Sequence, residues 1–196
     1  MAITVGARPE ASFLDPVGML TDCHRRVLRF LGDLMSVSGT FAGEVLPALS
    51  QQKLVTALRY FREAAPNHTA DEEETLFPRL RAVPDHPGLR GALELVESLE
   101  RDHATAAPLH EEVDQMAGRW LEVGTLSEFE VGRLSAATAT MLALYREHIA
   151  AEETQLFPLA RKVLDADALR ACGREMAARR GIDFDAWRAN VALLGH

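Results

Sequence analysis

A chain of 196 residues, 47% hydrophobic and 26% charged, is long enough for one domain with a sizeable core and short for two domains of ordinary size. A formal charge of −8 and a pI near 5.4 exclude the concentrated Lys and Arg excess that a phosphate-backbone surface requires, so no nucleic-acid partner is expected. No apolar run approaches the roughly twenty residues of a membrane span, and the opening MAITVGARPEAS lacks the pattern of a secretory signal; a cytoplasmic protein with no membrane partner is the expectation.

Residues 1–14 are expected as a flexible tail. Asp15 followed by Pro16 then starts a helix, the carboxylate accepting a backbone N–H and the proline sitting where no donor is needed. Leu20, His24, Val27, Leu31, Leu34 and Met35 follow at three- and four-residue steps and share one face of it. A second helix is predicted from Ser50, with Leu54, Ala57, Leu58, Phe61, Ala65, His68, Glu72 and Leu76 on one stripe, a kink at Pro66, and a stop in PDHPG at 84–88.

The third places Leu95, Val96, Leu99, His103 and Ala107 inward, bends at Pro108 and ends near Gly118 or Gly124. The fourth begins at Ser127, whose partner Glu130 completes a capping box, and carries Leu134, Met141, Tyr145, His148, Glu152 and Leu156. A shorter helix from about Asp165 to Arg180 closes at Gly181, with the basic AARRG at 177–181 read as cations favoured at a helix end. Residues 182–196 are expected as a C-terminal tail. The fold class predicted is all-α: an up-down-up-down antiparallel four-helix bundle over 15–181, with an additional short C-terminal helix. Cys23 and Cys172 belong to no C-x-x-C pair and are expected as small buried residues.

The chemistry lies in a repeat. HTADEEETLFP runs from His68 to Pro78, and HIAAEETQLFP from His148 to Pro158, with His, Glu, Glu, Leu, Phe and Pro in register. Residues four apart on a helix rise about 6 Å and differ by about 40° in direction, so His68 with Glu72 and His148 with Glu152 each form a two-point metal clamp. His24 precedes His68 by 44 residues and His103 precedes His148 by 45, so a unit of one histidine followed by H-x3-E is itself duplicated. Glu72 and Glu152 as unpaired carboxylates in a bundle core would cost several kcal/mol each, an objection that a bound cation removes. Mixed imidazole and carboxylate donors suit iron, with manganese possible, better than structural zinc.

These residues resemble the hemerythrin-like (HHE cation-binding) family of four-histidine, two-glutamate type, and the resemblance covers roughly residues 15–180. It implies a ligand set of His24, His68, Glu72, His103, His148 and Glu152 around two iron ions bridged by the glutamates and an oxide or hydroxide. That arrangement leaves one position of each octahedral iron for O2, NO or peroxide. Glu73 and Glu153 match a family glutamate that usually faces solvent and is no ligand. Oxygen carriers in the family commonly add a histidine four residues after the first on helix three, where this chain has Ala107.

The function expected from the resemblance is binding, sensing or detoxification of a small oxidant. Iron storage or delivery, iron–sulfur-centre repair, and a structural bundle that docks a partner are the alternatives. The repair proteins often carry a cysteine-containing amino-terminal segment, which is not expected here. Tyr60 and Tyr145 are read as candidates for hydrogen bonding to a bound diatomic, against the simpler reading of core tyrosines with satisfied hydroxyls. His110 is read as an outer or surface residue, and His86 and His196 as non-ligands. Neither oligomeric state, monomer or homodimer, is favoured.

Overall fold

The computed structural model describes residues 11–84 and 88–193, and every regular element among them is helical. Four rods make up the bundle. The first is α1 (Pro16–Phe41), which starts where predicted: Asp15 accepts the Gly18 N–H at 3.0 Å and Pro16 fills the first helical position. The second is composite, with α2 (Ala48–Glu63), α3 (Ala65–Ala70), a π-helical turn at Asp71–Leu76 and α4 (Phe77–Arg81). It begins two residues before the predicted Ser50, and its break at Ala64 lies just ahead of Pro66.

The third rod, α5 (Leu89–Val123), is unbroken although Pro108 lies inside it, and it ends at Gly124, whose φ of 86° is the left-handed cap that glycine adopts freely. The fourth comprises α6 (Glu128–Ala151), a second π-helical turn at Glu152–Leu156, and α7 (Phe157–Val163). The predicted capping box is present, with the Glu130 N–H donating to Ser127 Oγ and the Glu130 carboxylate accepting from the Ser127 N–H. α1 packs on α2 and α6, and α5 packs on the same two, so the rods close a ring in chain order as an up-down-up-down bundle must.

Both π-helical turns sit at the repeated E-E-x-x-L-F-P. Proline cannot donate to the ladder, and its ring crowds the carbonyl four residues back. In each repeat the phenylalanine before the proline instead donates its N–H five residues back, to the carbonyl of Glu72 and of Glu152. The wide turn thus falls on the residues that the repeat singles out, a placement common for π-bulges at functional sites.

The core is split. One apolar cluster gathers Phe30, Leu34, Leu54, Trp120, Leu134 and Met141 with their neighbours. The other gathers Leu20, Leu76, Phe77, Val96, Leu156 and Phe157. Between them lies a polar layer containing His24, His68, Glu72, His148 and Glu152, all buried.

Beyond the bundle, α8 (Ala166–Arg179) packs against α1 and the first π-helical turn. The chain then departs from the tail expected at 182–196, forming α9 (Phe184–Leu193). Asp183 accepts the N–H groups of Asp185 and Ala186, Phe184 is buried, and Trp187 meets Phe13 edge-on at 5.1 Å. Phe13 itself belongs to the stretch expected as an N-terminal tail, yet it is buried in the second cluster. Its backbone lies against α8 at Gly173, where an added Cβ would stand 1.9 Å from the Phe13 carbonyl oxygen. So short a helix has little stability alone and owes its formation to packing, which no local periodicity announces. His86 and His196 lie outside the described residues. Cys23 and Cys172 are free and buried, as expected. No described helix is long and apolar enough to cross a membrane.

Candidate metal centre

Each rod delivers its share of the polar layer. α1 supplies His24, the second rod His68 and Glu72, α5 His103, and the fourth rod His148 and Glu152. All six converge. His24 Nε2 stands 3.0 Å from Glu152 Oε2 and 3.7 Å from Glu72 Oε1, and His68 Nε2 is 3.2 Å from that same Glu72 oxygen. On the other side, His103 Nε2 is 3.4 Å from Glu72 Oε2, and His148 Nε2 is 3.3 Å from Glu152 Oε2. Two ligand triads result, His24–His68–Glu72 and Glu72–His103–His148, and Glu72 belongs to both.

These distances are those of ion pairs, but the directions are not those of hydrogen bonds. His24 Nε2, His148 Nε2 and all four oxygens of Glu72 and Glu152 are buried without a hydrogen-bond partner. Buried polar atoms are almost always satisfied, so these six, and His68 Nδ1 as a seventh, need a physical account. Donors that aim at a common space and not at one another are what a cation fits: imidazole nitrogens and carboxylate oxygens, deprotonated and stripped of water.

The imidazoles are held from behind. His24 Nδ1 is 2.9 Å from Glu153 Oε1, His103 Nδ1 is 2.7 Å from Glu73 Oε1, and His148 Nδ1 is 3.3 Å from Asp102 Oδ2. Glu73 and Glu153, expected to face solvent, are 36% and 37% exposed and at the same time cross between rods to orient histidines. A carboxylate on the far nitrogen fixes the tautomer that leaves Nε2 free for a metal and strengthens it as a donor. The repeated E-E dipeptide could have indicated this, since its second glutamate recurs in register. Asp102 carries no such mark, because its counterpart before His24 is Cys23.

The basic end of α8 does cap the helix, Arg180 Nη1 donating to the Met176 carbonyl at 2.8 Å, and it also forms a further buttress. Arg179 and Arg180 do not simply cap α8: both guanidinium groups converge on Asp71, Arg179 through Nη1 on Oδ1 and Arg180 through Nη2 on Oδ2 at 2.6 Å. Arg179 also reaches Glu74 at 3.0 Å. Asp71 is 1% exposed and next to Glu72, so α8 grips the π-helical turn that carries the shared carboxylate.

Without a cation the layer is electrostatically conflicted. Burial and the neighbouring Glu152 charge push the Glu72 carboxyl up to about 8. Burial would likewise raise Glu152, but contact with His148 and His24 takes it well below the usual carboxylate range. Burial disfavours charge on His24, yet the Glu152 and Glu72 carboxylates beside it push it up to about 10. Burial and the charge of His24 hold His68 far below the ordinary histidine value. At neutral pH the metal-free protein therefore keeps protons on His24 and Glu72, and a metal must expel them. The sign follows: metal affinity increases as pH rises from neutrality, because the groups that burial and neighbouring charge hold protonated, Glu72 and His24, must lose their protons. Calorimetric titration in buffers of different ionisation enthalpy should register proton release on metal binding at pH near 7, and a buffer-independent heat would contradict this.

The remaining candidates take outer places. Tyr60 is buried and its hydroxyl donates to the Cys23 carbonyl at 3.2 Å, as a satisfied core tyrosine. Tyr145 packs against His148 and shares a 2.8 Å hydrogen bond with His110 Nε2. His110 is thus outside the cluster, and burial pushes it down to about 4, so it is neutral at physiological pH.

Comparison with known proteins bears on the same residues. The model of the hemerythrin HHE cation-binding domain matches residues 15–160, a span that contains all six converging side chains. An uncharacterized protein of Haemophilus influenzae is 30% identical over 172 residues, covering 88% of this chain and 94% of the relative.

Proposed function

Because the chain belongs to the hemerythrin HHE cation-binding family, which implies a metal cation site, we propose that the six side chains hold two iron ions and that the pair binds, senses or detoxifies O2, NO or peroxide. The observation that carries this reading is the sharing of Glu72 between the two triads, each completed by two histidines, with the fully buried Glu152 beside them. Bound there, a pair of irons would supply Lewis acidity and up to two electrons to a small ligand.

The protein's own contribution is positional. Glu73, Glu153 and Asp102 hold three imidazoles in the tautomer that presents Nε2 inward. The apolar clusters on either side keep bulk water from the layer, which strengthens every charge interaction inside it. Of the two tyrosines, Tyr145 has the hydroxyl suited to a ligand. Neutral His110 can donate its Nε2 proton to the Tyr145 oxygen, and the phenol proton is then available to a ligand beside His148, against which Tyr145 packs.

The test is spectroscopic. Iron-loaded protein, reduced anaerobically and then exposed in turn to O2, NO and peroxide, should change its optical absorption with at least one of them. Inertness to all three would refute the oxidant reading, and ready transfer of iron to an acceptor without such a response would favour storage or delivery.

A further inference from the structure

The duplicated halves of the chain build the two sides of the layer with one difference. On one side both histidines are backed by a carboxylate: His103 by Glu73 and His148 by Asp102. On the other, His24 is backed by Glu153, but His68 Nδ1 is buried and has no hydrogen-bond partner. The duplicated unit differs at the corresponding position. Asp102 immediately precedes His103, and the residue that precedes His24 is Cys23. A buried thiol is a weak acceptor where a carboxylate is a strong one.

From this we infer that the two metal positions are unequal, the one at His103 and His148 holding its ion more tightly than the one at His24 and His68. The inference rests on the dinuclear reading above. Losing an outer hydrogen-bond partner of a ligating histidine typically costs about 10- to 100-fold in metal affinity. Two further features act in the same direction. The better-backed side has two partly exposed carboxylates behind its histidines and the other has one, so the local field also favours a cation there. No hydrogen bond on Nδ1 fixes the ring orientation of His68. A chain loaded with one metal equivalent would therefore hold it at His103 and His148, and the two ions of the filled centre would differ in ease of removal.

The experiment isolates each position. His68→Ala keeps the His103 and His148 side, and His148→Ala keeps the other; each is titrated with Mn(II), with the free ion read directly from its electron paramagnetic resonance signal. We expect His68→Ala to bind at least about tenfold more tightly than His148→Ala. Adding Asp102→Asn to His68→Ala should bring the two variants to parity. Asp102→Asn alone, which retains all six ligands in the otherwise native chain, should weaken binding of the first equivalent by a similar factor. Equal affinities, a reversed order, or an Asp102→Asn chain that binds as the native one does would each overturn the inference while leaving a two-metal centre intact. If the native chain and both histidine variants bind no Mn(II), the dinuclear reading itself is lost, and this inference with it.

Discussion

On the proposed two-metal reading, Glu72→Leu should reduce bound metal from two ions per chain to at most one, and weaken what remains by more than the roughly 10- to 100-fold expected for loss of an outer hydrogen-bond partner. Glu72 has this weight because its two oxygens face opposite sides, Oε1 toward His68 and Oε2 toward His103, so one substitution removes a ligand from both triads. The same change should act in the opposite sense on the metal-free protein. Glu72 is 0% exposed, both its oxygens lack hydrogen-bond partners, and Glu152 lies close by. Replacing it with a side chain of similar volume removes that unmet demand, and the metal-free variant should gain roughly 1–3 kcal/mol. Metal content after dialysis, together with urea unfolding of the metal-free proteins, checks both halves. A variant that still retains two metals would show that Glu72 is not shared between ions.

Arg179→Leu combined with Arg180→Leu should destabilise the chain by about 3–5 kcal/mol, the usual result of stripping a buried charge of its partners. Asp71 would be left at 1% exposure with no cation, whereas the two arginines are about one-fifth exposed. For that reason the reciprocal change, Asp71→Leu, should cost less: the guanidinium groups can turn toward water, and Arg179 keeps its contact with Glu74. Urea unfolding of both variants measures the contrast. Equal losses would mean that the cluster acts through packing alone. Because Asp71 and Glu72 share the π-helical turn, the double arginine variant should also release metal to a competing chelator faster than the parent.

Much of the molecule could be read from local chemistry. Asp15-Pro16, Ser127 with Glu130, Asp165 and the terminal glycines mark helix ends because capping satisfies backbone groups within one turn, using residues close in sequence. The bundle follows from four apolar stripes of similar length. The six converging residues were also legible, since the repeat places chemically identical groups in register at intervals that an antiparallel bundle brings to one level.

What could not be read depends on partners distant in the chain. α9 and the docking of Phe13 come from aromatic packing between the two ends of the chain. The π-helical turns reflect how the second and fourth rods carry Pro78 and Pro158 without breaking, a choice among several ways of relieving the same clash. Asp102 and the paired arginines look on paper like ordinary solvated charges, and even the repeated Glu73 and Glu153 show which histidine they serve only by their placement on another rod. Thus the sequence by itself determined the four rods of the bundle, their order and the identity of the inward-pointing donors, because spacing along one helix sets which side chains share a face. Tertiary structure alone decided which histidine each outer carboxylate supports and which imidazole goes without, because those contacts depend on the relative rotation of separate rods, which no spacing along a single helix encodes.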